Sequence, residues 1–189
     1  MRIVEAKREE LESFFEYLGI QLLENADDEL PLFQPISKDN CTVSEQLKAK
    51  FRDGFDHNIG EQGWRKLWVI KDTNERVVGH IDLRHYSEQA KSHRVILGMG
   101  VGSTYRKQGL GVRLIETVVQ FCNESAGIDW LDLCVLSSNT PATNLYTKCG
   151  FEVIGEMPDC YHIDGESVSE TTMTLSTKGL PLQSALVPS

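Results

Sequence analysis

No apolar run in the 189-residue chain approaches the length of a bilayer span, and Met1-Arg2-Ile3-Val4-Glu5 leads into charged sequence rather than an apolar leader. Both absences predict a cytoplasmic protein with no membrane partner. Cysteine is sparse: five residues, an odd number without paired spacing, favour reduced thiols over a disulfide framework. Positive charge is in deficit. With 19 Lys+Arg against 28 Asp+Glu the net charge is −9, which argues against a nucleic-acid partner and favours a cationic one such as a polyamine, an aminoglycoside or a basic peptide. No metal is expected either, because His80 and His85 are five apart, His57 and His162 are distant, and no Cys/His pair has zinc-ligand spacing. The glycines fit neither G-x-G-x-x-G nor G-x-x-x-x-G-K-[ST], so the two common nucleotide-binding turns are absent. No internal repeat is evident. The length suits one domain over residues 1–178, with a loose tail over 179–189 that carries Pro181 and Pro188.

What is present is concentrated between residues 94 and 122. The segment Arg94 to Val101 predicts a strand with Val95, Leu97, Met99 and Val101 on one face and Ile96, Gly98 and Gly100 on the other. Glycines at alternate positions strip one face of side chains, which marks a bulge or a close approach by a ligand or another backbone. The chain then turns through Gly102-Ser103-Thr104-Tyr105-Arg106-Lys107-Gln108-Gly109 into a helix. Its apolar residues Leu110, Leu114, Ile115, Val118, Val119 and Cys122 recur at helical spacing. The first backbone N–H groups of such a helix have no intrahelical partner and carry the positive end of its dipole. With Arg106 and Lys107 beside them, they suit a phosphate or pyrophosphate.

Further on, Trp130 to Leu136 predicts a buried strand, and Ser137-Ser138-Asn139-Thr140 a loop. A short helix follows over Pro141 to Cys149, closed by Gly150, then a strand over Phe151 to Ile154. Together these residues resemble the GNAT superfamily of acyl-CoA-dependent N-acyltransferases. Its pyrophosphate motif is matched by Val101 with Arg106-x-x-Gly109-x-Gly111. Its second motif is matched by Leu133-x-Val135 and Asn139-x-x-Ala142-x-x-Leu145-Tyr146-x-Lys148-x-Gly150-Phe151. The resemblance is firmest over Val77 to Leu175. It implies an α/β fold with a mixed, mostly antiparallel sheet splayed into a V and flanked by helices on both faces. It further implies acetyl-CoA as cosubstrate, its pyrophosphate on Arg106, Lys107, Gln108, Gly109, Leu110, Gly111 and Val112. The pantetheine arm would lie along Met99, Gly100 and Val101, with Asn139 bonding its amides and Tyr146 beside the sulfur. The expected activity is direct transfer of an acetyl group to a primary amine, on a small molecule or a protein, by a monomer or homodimer. The alternative is a non-catalytic acyl-CoA sensor.

The chemistry explains the set. A thioester is already activated, so positioning supplies much of the rate. The developing oxyanion needs a donor, for which the backbone N–H groups around Met99 and Val101 are candidates. The departing thiolate needs a proton, and a phenol with an unperturbed pKa of about 10 is a suitable source. A base for the amine is less legible. The polar residues His80, Asp82, Arg84 and His85, with His93 and Glu152, are candidates; in strict alternation His80, Asp82 and Arg84 share a face opposite Ile81 and Leu83, and the plain reading is a solvated face. Some family members carry a glutamate on the strand before the pyrophosphate turn, where this chain has Leu97, Gly98 and Met99, so a water relay or a base from another strand is expected. Structural readings stand beside the functional ones: Tyr146 as a core-edge aromatic with its hydroxyl in water, Asn139 as a helix cap, Cys134 and Cys149 as small apolar residues.

The flanking sequence predicts a strand over Arg2 to Ala6, a helix over Arg8 to Glu24, a long loop over Asn25 to Asn40 bordering the acceptor site, and a helix over Ser44 to Phe55 capped by Thr42. Hairpins join Lys66–Lys71 to Arg76–His85, and Cys160–Ile163 to Glu170–Leu175 across Asp164-Gly165-Glu166-Ser167.

Overall fold

Strands form where apolar residues alternate, and helices where they recur every three to four positions. The computed structural model describes residues 1–27, 30–125 and 127–178. In order these form β1 (Arg2–Glu5), α1 (Leu11–Leu22), α2 (Glu45–Gly54), β2 (Arg65–Lys71), β3 (Val77–His85), β4 (Arg94–Val101), α3 (Leu110–Glu124), β5 (Trp130–Leu136), α4 (Thr140–Lys148), β6 (Glu152–Ile163) and β7 (Glu166–Ser176). The strands make one sheet in the order β1-β2-β3-β4-β5-β7-β6, antiparallel throughout except for the parallel pair β4/β5.

That parallel pair is short. β4 and β5 are in register only from Arg94↔Trp130 to Ile96↔Asp132. Beyond it, β4 stays with β3 as far as Val101↔Gly79, and β5 stays with β7 as far as Leu136↔Glu170. The sheet therefore splits into two arms that diverge after Ile96 and Asp132, which is the V expected from the family resemblance.

A buried polar cluster holds the apex. Asp132 is 3% exposed. It accepts from Arg94 Nε at 2.7 Å and Nη2 at 2.5 Å, from Thr174 Oγ1 at 2.6 Å and from the Tyr86 hydroxyl at 3.0 Å. Burial alone would raise the pKa of Asp132, but these donors outweigh it and hold the carboxyl below its usual value. The same burial, with the Asp132 charge beside it, pushes Tyr86 up to about 12.

Each face of the sheet carries its own core. On one side α3 and α4 cover Ile70, Ile81, Leu83, Val95, Leu97, Leu131, Leu133 and Met173 with Leu110, Leu114, Ile115, Val118 and Tyr146. On the other, α1 and α2 pack Phe14, Phe15, Leu18 and Phe51 over Leu67 and Val69. Each such apolar side chain contributes about 1.5–3 kcal/mol of transfer free energy.

Three local expectations are corrected. The first helix is an α-helix only over Leu11–Leu22, with a 3₁₀ turn at either end (Arg8–Glu10 and Leu23–Ala26). α2 is capped by Ser44 rather than Thr42, its side chain accepting from Leu47 N at 3.2 Å. The separate strands predicted near Phe151–Ile154 and Cys160–Ile163 are one strand, β6, paired with β7 through two register shifts. Pro158 is tolerated because β6 is the sheet's edge. The tail over 179–189 lies outside the described residues.

Candidate active site

The open edge of β4 follows from strand alternation. Gly102 N donates to Val78 O at 3.0 Å, so its backbone points toward β3. The polar groups of Gly100 and Gly98 point the same way, and those of Met99 and Val101 point into the V, where β5 no longer pairs. The Val101 carbonyl is already engaged, accepting from Arg106 Nε at 2.9 Å. That leaves the Met99 N–H and C=O and the Val101 N–H as unladdered groups along the opening.

The opening runs into the turn before α3. Lys107 has φ 60° and Gly109 φ 74°, both left-handed, before Leu110 starts the helix. A change of hand of this kind is the backbone pattern that lets successive N–H groups converge on an anion. The first bond of α3 runs from Arg113 N to Gly109 O at 3.2 Å, so the amides of Leu110, Gly111 and Val112 precede the helical ladder. Lys107, Gln108 and Gly109 are exposed. Arg106 behaves differently from a free cationic arm. Its guanidinium turns back to pair with Glu24 at the end of α1, and Glu24 also accepts from Gln21 Nε2 at 2.7 Å and Ser103 N at 3.3 Å. Arg106 therefore ties the end of β4 to the turn that ends α1.

Across the V, Asn139 caps α4, its Oδ1 accepting from Ala142 N at 3.2 Å while Nδ2 donates to Leu32 O at 3.5 Å. Tyr146 is 7% exposed. Its place is set by the way α4 ends: Phe151 N donates to Tyr146 O and Gly150 N to Thr147 O, both at 3.0 Å, with Gly150 at φ 91°. This is a Schellman motif, whose usual apolar contact is here the Tyr146 and Phe151 rings, centroids 5.7 Å apart. Burial raises the phenol's pKa. Among the described residues no fully buried side-chain N or O lacks a hydrogen-bond partner.

The strand expected to present a solvated face does not. His80 and Asp82 are each 4% exposed, because α1, α2 and the 30–36 segment cover that side of β3. His80 is ringed by Phe14, Tyr17 and Phe33 at centroid distances of 5.1, 5.5 and 6.5 Å. Burial pushes its pKa down to about 4. Its Nδ1 lies 3.4 Å from the Tyr17 hydroxyl, which donates to Gln21 Oε1 at 3.0 Å. His85 is tied up elsewhere, accepting from Gly60 N at 2.9 Å and lying against Trp64 at 4.9 Å. His93 precedes β4 at the end away from Val101, its carbonyl accepting from Asp129 N at 2.8 Å. Glu152 is exposed at the start of β6. Asp82 accepts on Oδ1 from Arg65 Nη1 at 3.0 Å and Arg84 Nη1 at 3.4 Å.

The alternate glycines of β4 now have a cause. A Cβ on Gly98 would stand 2.6 Å from Asp82 Oδ2, and one on Gly100 would stand 2.8 Å from Gln21 Oε1 and 2.9 Å from the Phe33 ring. Side chains from β3, α1 and the 30–36 segment fill the space that β4 leaves.

Residues 30–151 match the family described as Acetyltransferase (GNAT) family. The chain belongs to the GNAT acetyltransferase family. It is 30% identical over 112 residues to the N-terminal acetyltransferase A complex catalytic subunit NAA10 of Arabidopsis thaliana, covering 59% of this chain and 58% of that protein. It is also 30% identical over 79 residues to the L-amino acid N-acetyltransferase AaaT of Escherichia coli, covering 42% and 49%. The GNAT chain thus spans about half to three-fifths of the length of these two curated relatives. Among solved structures, the GNAT-family acetyltransferase from Streptococcus pneumoniae superposes with a TM-score of 0.77 at 20% identity, over 93% of this chain and 98% of that one. The yncA protein of Salmonella typhimurium, solved with its cofactor acetyl-CoA, superposes with a TM-score of 0.73 at 18% identity, over 100% and 97%.

Of the residues that sequence reasoning grouped, the structure sets Gly109 and the amides after it at the start of α3, and Asn139 and Tyr146 on α4, which follows the other arm of the V. Sequence reasoning missed Glu24 and the Asp132 cluster, whose members come from separate segments and share no local pattern.

Proposed function

We propose that the protein transfers the acetyl group of acetyl-CoA to a primary amine, both substrates being bound at once in the V. The observation that carries this reading is the unpaired β4 edge at Met99 and Val101, which leads without interruption into the N–H nest at Gly109, with Tyr146 on the facing helix. In this reading Met99, Gly100 and Val101 line the pantetheine arm, and the Met99 N–H and C=O with the Val101 N–H pair with it as an added strand would. Lys107 and the amides of Gln108, Gly109, Leu110, Gly111 and Val112 hold the pyrophosphate, Arg106 supports them from behind, and Asn139 fixes the start of α4.

The steps balance as follows. The amine arrives as an ammonium and yields one proton to water. Its lone pair forms the C–N bond, the C–S bond breaks, Tyr146 protonates the departing sulfur, and the amine's second proton restores the phenol. The raised pKa of Tyr146 fits this role: burial keeps the phenol protonated at working pH, so it holds the proton that the departing sulfur takes. The curated relatives are named for protein N-termini and L-amino acids. Both acceptors present an α-amine, and an α-amine is the acceptor class proposed here.

The test is incubation with acetyl-CoA and a panel of amines, followed by mass spectrometry of the products, beside a Tyr146→Phe variant. Acetylation by the parent that collapses in the variant, with acetyl-CoA binding intact, supports the enzyme. Acetyl-CoA binding without transfer to any amine supports a sensor instead.

A further inference from the structure

We infer that Asp82 and Arg84 form the acceptor site and that they select a free α-amino acid, recognising its ammonium and its carboxylate together. The inference rests on the acetyl-transfer reading and adds the acceptor to it.

Both residues sit on β3, on the face that β4 leaves bare at Gly98. Register places Asp82 opposite Gly98 and Arg84 opposite Ile96, the last β4 residue before the arms part. Around an ideal Cβ at Gly98, Asp82 Oδ2 would lie at 2.6 Å and Arg84 Nη1 at 3.2 Å. Two opposite charges therefore meet over Gly98, one residue before Met99 and its unpaired N–H.

The two groups have different freedom. Asp82 is buried, and both guanidinium contacts fall on Oδ1, so Oδ2 is left facing Gly98 without a donor from the described residues. Arg65 sits under it, buried over the Phe51 ring at 4.1 Å, and keeps Asp82 compensated whether or not Arg84 is present. Arg84 has its side chain 36% exposed, and among the described residues its one ion pair, to Asp82 at 3.4 Å, is long. Its charge also reaches Cys134 on the other arm of the V. A buried carboxylate with a free oxygen suits an ammonium, and a half-exposed guanidinium with free N–H groups suits a carboxylate, in a bidentate fork if geometry allows.

The spacing matches the ligand. In an α-amino acid the ammonium and carboxylate are neighbouring groups on one carbon, so they need complementary charges side by side, as Asp82 and Arg84 are. A protein N-terminus offers the ammonium but has a neutral amide where Arg84 needs an anion. A polyamine offers Arg84 a second cation.

The experiment uses the full chain with acetyl-CoA and, as probes, the twenty L-amino acids and their α-carboxamides, with N-acetyl products read by mass spectrometry. At least one amino acid should be acetylated with a kcat/KM tenfold or more above that of its carboxamide, the difference lying in KM. Arg84→Gln should erase that preference by raising KM for the acid at least tenfold more than KM for the carboxamide, whereas loss of a merely structural role would lower kcat/KM for both by the same factor. Asp82→Asn should raise KM for both forms and leave acetyl-CoA affinity, measured by calorimetry, within threefold. Should Arg84→Gln fail to fold, Arg84→Lys, which keeps the charge and loses the fork, should give an intermediate preference, and the comparison of acid with carboxamide stands on the parent alone. Acetyl-CoA binding with no amino acid acetylated, or with carboxamides used equally well, overturns the acceptor site and leaves acetyl transfer standing. Absence of acetyl-CoA binding overturns the reading beneath it.

Discussion

Replacing Tyr146 by phenylalanine separates the chemical role of the residue from its structural one. The ring's contact with Phe151 is the apolar half of the motif that ends α4, and phenylalanine keeps it. No hydrogen bond from the hydroxyl to a described residue supports the fold, so Tyr146→Phe should change unfolding free energy by no more than about 0.5 kcal/mol. Loss of a general acid costs about 10²–10⁴ in rate, so kcat for transfer to the best amine should fall by that factor while the calorimetric Kd for acetyl-CoA stays within threefold. Tyr146→Ala should behave differently, losing the ring as well and destabilising the fold by about 3–5 kcal/mol. The pH profile adds a second check. Burial raises the Tyr146 pKa, so the parent's kcat should show no falling limb from this phenol up to about pH 10, the unperturbed value. A Tyr146→Phe enzyme that keeps kcat within threefold of the parent would refute the proton-donor role and return Tyr146 to packing alone.

Three further outcomes are expected. Asp132→Ala strips the apex of its carboxylate and leaves the half-buried Arg94 without its ion-pair partner and the Thr174 and Tyr86 hydroxyls without their acceptor, so denaturant unfolding should show a loss of about 2–3 kcal/mol; a loss under 1 kcal/mol would contradict the apex as a structural lock. Because the folded pKa of Asp132 lies below its usual value, its stabilisation is present above the ordinary carboxylate range and disappears as pH falls through the lower folded value. His80, buried and pushed down to about 4, should stay neutral in an NMR titration at pH values near 5.5. The sign is the reverse of a salt-bridged histidine: its contribution is full above the unfolded pKa of about 6.5 and is lost as pH drops toward the folded one. An NMR pKa near 6.5 would show the ring to be solvated. Gly150→Ala should cost about 1–2 kcal/mol in thermal or denaturant unfolding for its left-handed φ, and an unchanged stability would mean that α4 ends in some other way.

What could be read in the sequence is what local rules govern. β4, the turn and α3 were predicted within a residue because glycine spacing and helical period signal them directly, and Asn139, Pro141 and Gly150 bracket α4 in the same manner. Asp82 and His80 were misread as a solvated face because alternation reveals which residues share a side and says nothing of what covers it. The coverage comes from α1, α2 and the 30–36 segment, brought there by tertiary packing. β6 looked like two strands because Gly155 and Pro158 resemble breaks, and pairing with β7 overrides them at a sheet edge. Arg106 was expected to face a phosphate. The structure pairs it with Glu24, which lies far off in sequence in the turn after α1.

The most direct test of acetyl-CoA binding at the V is a calorimetric titration of the full chain with acetyl-CoA, repeated on Gly109→Glu. No atom lies within 4 Å of a Cβ at Gly109, so the new side chain has room, and its carboxylate would meet the pyrophosphate at the mouth of the N–H nest. Because any side chain is strained at the left-handed φ of this residue, Gly109→Asn, which tolerates that conformation, serves as the control. The expected result is one site per chain in the parent, affinity within threefold in Gly109→Asn, and a loss of at least tenfold, about 1.4 kcal/mol, in Gly109→Glu. A parent that does not bind acetyl-CoA while folded, or a Gly109→Glu variant that binds it as well as the parent, would contradict the placement of acetyl-CoA between β4 and β5.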